Sequence, residues 1–154
     1  MLRIALAALH LIALGVGLGA VLARGTALRE APSAGSLRRA FRADTVWGIA
    51  AGLWIATGLW RLLAGTEKAP EYYYSNVNFH AKMGLLVLVL ALEVWPMVTL
   101  IRWRRALARG ESAGDVEAAA PARRIAMISH VEALLVVLMV FAATAMARGY
   151  GARG

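Results

Sequence analysis

The sequence predicts an all-α protein, a bundle of four helices that each cross a membrane, and three observations carry that expectation. Hydrophobic residues make up 60% of the 154. The mean hydropathy is +0.63. The apolar residues gather in four runs, each close to the roughly 20 residues a helix needs to cross a bilayer core of about 30 Å. So little chain lies outside these runs that a single membrane domain, 1–154, accounts for all of it.

The first run, Ile4 to Ala23, holds no charge and lies between Arg3 and Arg24. A cleaved signal peptide is the competing account, but signal h-regions run only about 7–15 residues, so a retained helix is expected. Thr45 to Trp60 is uncharged between Asp44 and Arg61, and a snorkelling Arg61 extends that span to about Ala64. The third span covers about 80–101, with Met83 to Ile101 interrupted only by Glu93. Pro96 should kink it. The fourth, Ile125 to Ala147, is interrupted only by His130 and Glu132.

Charge outside the spans sets orientation. The first loop carries Arg24, Arg29, Arg38, Arg39 and Arg42, and the third carries Arg102, Arg104, Arg105, Arg109, Arg123 and Arg124. The second holds only Lys68 against Glu67 and Glu71. Loops one and three therefore face the cytoplasm and both termini face outward. Tyr72, Tyr73 and Tyr74, beside Pro70, read as an interfacial aromatic belt at the outer surface. The net charge of +8 sits at membrane edges, where it meets anionic lipid rather than nucleic acid. With no cysteine, disulfides, iron–sulfur clusters and thiol chemistry are excluded. Gly15 with Gly19 and Gly48 with Gly52 are small-xxx-small pairs of the kind that let helices approach closely.

Ionisable groups inside a bilayer are costly, and each is a functional hypothesis with a partner to be named. They fall into two tiers. The outer tier holds His10, about 10 Å deep by helical rise, with His80, Lys82 and Met83 at the start of the third span. His10 is either a helix-tying hydrogen bonder or a metal or haem ligand. His80 and Lys82 are two residues apart, about 200° around a helix, so they cannot point the same way. If His80 faces the bundle, Met83 lies near it and Lys82 snorkels outward. The inner tier holds Asp44, Glu93, His130 and Glu132. Glu93 follows Lys82 by about three helical turns, so the two share a face. For Glu132 the plain reading is a pair with an interfacial arginine such as Arg42, Arg123 or Arg124. The outer tier has the richer chemistry, since two histidines on different helices can clasp a planar macrocycle as axial ligands, while Lys82 meets a carboxylate.

The stretch Leu9-His10-Leu11-Ile12-Ala13, leading into a glycine-rich helix that ends at Arg24, and the later Phe79-His80-Ala81-Lys82-Met83-Gly84-Leu85 resemble the HemJ-type protoporphyrinogen oxidases. They also resemble the wider copper-resistance-D-like group of small four-helix membrane proteins. The whole chain looks most like an uncharacterised bacterial family of predicted membrane proteins within that group. The resemblance implies a bacterial cytoplasmic membrane location with periplasmic termini, binding of b-type haem, and functional roles for His10, His80 and Lys82, with Lys82 the catalytic candidate. Where those oxidases open the fourth helix with Asn-Glu-x-Pro, this chain has His130-Val131-Glu132-Ala133, and Glu93 stands near the place of a late third-helix histidine. These departures bear on porphyrinogen oxidation more than on haem binding.

The function expected is therefore haem b binding, with His10 and either His80 or Met83 as axial ligands and electron-transfer or oxidoreductase chemistry on a porphyrin or quinone. Copper or proton transport is a second possibility, with His80 and Met83 the one close pairing for Cu(I). A small helical subunit without chemistry of its own is a third. Membrane lipid is the expected surrounding partner, and a homo-oligomer stays open.

Overall fold

The structure, a computed structural model, describes residues 1–30, 33–64, 74–112 and 119–151. The described residues form four helices in this order: α1 (Leu2–Ala27), α2 (Ala34–Leu63), α3 (Val77–Ala108) and α4 (Ala119–Ala147). All four are long and apolar enough to cross a membrane. Each runs past its apolar stretch, α2 most of all, since it begins at Ala34 and reaches Thr45 only after several turns.

Local chemistry sets the ends. Ser33 caps α2 through a reciprocal box, its Oγ accepting from the Ser36 amide at 3.0 Å while Ser36 Oγ accepts from the Ser33 amide at 3.0 Å. Asn76 caps α3, its Oδ1 accepting from the Asn78 amide at 2.9 Å. Both α3 and α4 stop at a glycine in the left-handed region: Gly110 at φ +91° and Gly149 at φ +87°. In each case the residue after that glycine donates back into the last turn, Glu111 to Ala106 O and Tyr150 to Ala145 O. The glycine itself donates to Leu107 O or Met146 O, which completes the Schellman pattern. Past α4 the chain folds onto the start of α3. Tyr150 O accepts from Asn78 Nδ2 at 2.7 Å and Asn76 Nδ2 at 3.2 Å, and Gly151 O accepts from the Val77 amide at 3.0 Å.

α1 packs along α2 and against α4, α4 packs against α3, and α2 barely meets α3. The interior has three layers. One apolar cluster includes Leu28, Leu37, Leu100, Trp103 and Ile125, and the other includes Val21, Trp47, Trp54, Val136 and Met139. Arg24, Asp44, Glu93 and Glu132 fall between them along their helices. Large apolar side chains such as Ile12, Ile49, Val87, Leu134 and Phe141 face outward, far more than a water-facing surface carries. Lipid solvates them.

The two small-xxx-small pairs do not make the close approach within the chain. A β-carbon on Gly15, Gly19, Gly48 or Gly52 would meet nothing within 4 Å. The approach of α1 to α2 is made by Gly17, where a β-carbon would stand 3.3 Å from the Trp47 ring and 3.4 Å from Ala50 Cβ. α3 continues through Pro96, which is buried. Tyr74 lies exposed beside Phe79, edge to face at 6.3 Å. Tyr72, Tyr73 and the second-loop charges Glu67, Lys68 and Glu71 lie outside the described residues.

Gly17→Leu should therefore lower stability by about 1–3 kcal/mol through overpacking, while Gly15→Leu and Gly19→Leu leave it near the wild-type value. Thermal or denaturant unfolding in detergent checks the order, and equal losses at all three positions would contradict this packing.

Candidate functional site

Two polar constellations occupy opposite ends of the bundle. The first is built on Arg24, whose side chain has no exposed surface. It lies in the last turns of α1, not in the loop, and that corrects its sequence reading as an edge charge. A guanidinium has five N–H donors, and all five are used. Nε donates to Ser129 Oγ at 3.0 Å. Nη1 donates to Asp44 Oδ1 at 3.0 Å and Glu93 Oε1 at 2.7 Å. Nη2 donates to Glu93 Oε2 at 2.8 Å and Glu132 Oε2 at 2.7 Å. α1 thus holds α2, α3 and α4 through one cation, with a two-pronged grip on Glu93.

Glu132 pairs with Arg24 and not with Arg42, Arg123 or Arg124. The reason is depth: Glu132 is fully buried in the polar layer, whereas Arg42, Arg123 and Arg124 are exposed. Arg124 instead covers the Trp95 ring at 5.5 Å. Arg104 comes to 3.9 Å from Asp44 Oδ2 and donates to Phe41 O at 3.0 Å. His130 turns away from the carboxylates, its Nδ1 donating to Ala126 O at 2.6 Å. Its ring lies against α1, and a β-carbon on Gly25 would stand 2.6 Å from His130 Cε1.

The second constellation surrounds a cavity of about 390 Å³ at the end that holds both Met1 and Gly151, within the usual range for ligand pockets. All four helices line it. α1 contributes His10, α2 Trp54 and Arg61, α3 Lys82 and Met83, and α4 Met139. His10 is buried, its Nδ1 2.9 Å from Thr57 Oγ1. The Thr57 hydroxyl has one proton, with Leu53 O at 2.7 Å and Trp54 O at 3.1 Å as backbone acceptors. With that proton on a carbonyl, the hydroxyl oxygen accepts from His10 Nδ1–H and the ring lone pair lies on Nε2. Gly58 makes room for this ring, since a β-carbon there would stand 3.2 Å from His10 Cε1. Trp54 packs beside it with centroids 5.7 Å apart.

The structure brings together His10, Lys82 and Met83 and leaves His80 out. The His80 side chain is exposed and its Nε2 bonds Tyr74 O at 2.9 Å. Lys82 faces the cavity rather than snorkelling away, and since residues two apart on a helix diverge, His80 is turned outward. His10 and His80 thus do not share the cavity, whereas His10 and Met83 both line it. Among the described residues no group of three or more His, Cys, Asp or Glu is arranged to hold a bare metal ion.

Fold and polar layers define a multi-pass helical membrane protein with a half-open cavity between its helices. The chain belongs to the family described as Predicted membrane protein (DUF2214), which it matches over residues 2–151. No curated protein and no solved structure matches it.

Arg24→Gln should destabilise the protein by about 3–5 kcal/mol, the usual cost of stripping one partner from a buried ion cluster. Arg24→Lys should fail to restore it, because an ammonium cannot span five acceptors. Unfolding in detergent measures both, and a wild-type midpoint for Arg24→Gln would contradict the hub.

Proposed function

We propose that the protein binds haem b in the cavity and belongs to the electron-transfer class of membrane haem proteins, with the cavity toward the periplasmic face of a bacterial cytoplasmic membrane. The observation that carries this reading is the meeting of His10, Lys82 and Met83, from α1 and α3, on one cavity lined by all four helices. The donor set suits the group. His10 would ligate through Nε2, with Nδ1–H fixed by Thr57 as an outer partner that orients the ring. Met83 would supply a thioether from α3, a ligand type that haem iron takes together with histidine. Lys82 and Arg61 would hold the propionates by charge. Haem supplies a one-electron couple when bound. The chain's own residues would bind it and orient it.

A second reading keeps the cavity and drops the iron. The cavity walls are mostly apolar, with His10, Lys82 and Arg61 as polar groups among them, a lining that a lipophile bearing a carbonyl, such as a quinone, would suit.

Protein purified in detergent from haem-replete cells should show a Soret band. His10→Ala should abolish it, Thr57→Val should weaken haem affinity about 10–100-fold by removing the outer partner, and His80→Ala should leave it intact. A colourless wild type overturns the haem reading, and a quinone recovered by organic extraction of that protein would favour the second.

A further inference from the structure

The polar layer opposite the cavity contains more acid than base. Arg24 faces three carboxylates, Asp44 from α2, Glu93 from α3 and Glu132 from α4. Among the described residues the second cation within reach is Arg104 of α3, half exposed and 3.9 Å from Asp44. From α4, His130 faces Gly25 and Ala126 O and makes no hydrogen bond to a carboxylate among the described residues. Three negative charges against two positive ones leave one in excess. An unbalanced charge is far costlier here than at a wet surface.

The excess has a definite address. Both Glu93 oxygens accept from the guanidinium, and Asp44 lies between Arg24 and Arg104, so these two are held as carboxylates. Glu132 has no exposed surface and takes one bond from Arg24, through Oε2. Its Oε1 is buried and meets no donor among the described residues. An ionised carboxylate would leave that oxygen desolvated and unmatched, whereas a protonated one turns it into a donor. Its neighbour is Glu93: Arg24 Nη2 donates to Oε2 of both, 2.8 Å from Glu93 and 2.7 Å from Glu132, and two carboxyl groups held side by side on one nitrogen can bond each other only with a proton between them.

We propose that Glu132 and Glu93 form a proton-binding site, with one proton held on Glu132 and shared with the Glu93 carboxylate. The Glu93 side chain is 18% exposed and that of Glu132 is not exposed, so a proton reaches Glu132 by way of Glu93. A proton arriving on a Glu93 oxygen is passed to Glu132, and Glu93 returns to the carboxylate held by Arg24. Measured along α1, the site lies about 21 Å from His10. It rests on none of the observations that carry the haem reading.

Infrared spectroscopy of the full chain in lipid nanodiscs tests this. At neutral pH the wild type should show the carbonyl stretch of a protonated carboxylic acid, shifted by exchange into D2O. Glu132→Gln should lose the band while keeping a wild-type thermal midpoint, because the amide mimics the protonated acid. Glu93→Gln should lose it as well, since one negative charge fewer lets Glu132 ionise, and this variant serves if Glu132→Gln fails to assemble. Absence of the band in the wild type, or its survival in Glu132→Gln, overturns the site. Loss in Glu132→Gln with retention in Glu93→Gln overturns the sharing.

Discussion

Arg24 carries a positive charge on a side chain with no exposed surface, and each of its five N–H bonds ends on an oxygen of another helix. A guanidinium cannot shed its proton to escape that position, so its partners must come to it. This constraint fixes depth and rotation together. Sliding α2, α3 or α4 by one turn, about 5.4 Å, would part a charge pair in a medium with nothing to replace it. Lipid gives helices little hydrophobic reason to associate, so the charge layer specifies the arrangement and the apolar clusters on either side complete it.

With the helices pinned at one end, the other end is free to hold a cavity. α2 and α3 barely meet, and among His10, Trp54, Lys82 and Met83 the bundle leaves a half-open cavity of about 390 Å³. What keeps the α3 and α4 ends together there is the backbone clasp of Tyr150 and Gly151 on Asn76, Val77 and Asn78. Gly151 has φ +79°, and a β-carbon there would stand 2.5 Å from Asn78 Nδ2, so the clasp depends on glycine. The division of labour follows from charge. Balanced ions and hydrogen bonds bind the helices at one end, and apolar walls with a few polar groups leave room for a ligand at the other.

Much of this was legible in the chain. Runs of about 20 apolar residues announce four spans, and a histidine or carboxylate within such a run is visible at once. Arg24 was the harder residue, because an arginine that closes a long uncharged run looks like an edge. The signal was its spacing: Arg24 follows His10 by about four helical turns, which puts it on the same face of α1, and a helix that runs on to Ala27 places it inside. His80 had an equally simple signal, since only one of His80 and Lys82 can face inward and nothing in the sequence alone chose between them. The paired glycines misled because their spacing names a stripe without saying which side of the helix it faces. Gly17, between Gly15 and Gly19, makes the contact instead.

The central claim is that one guanidinium on α1 touches carboxylates on three other helices. Solid-state NMR distance measurement in bilayers addresses it directly, with 15N in the arginine side chains and 13C in the Asp and Glu carboxyl groups. The account predicts dipolar contacts from the Arg24 nitrogens to the carboxyl carbons of Glu93, Glu132 and Asp44, with Arg24 nitrogens shielded from bulk water. An Arg24 side chain in contact with water and lacking those couplings would contradict it.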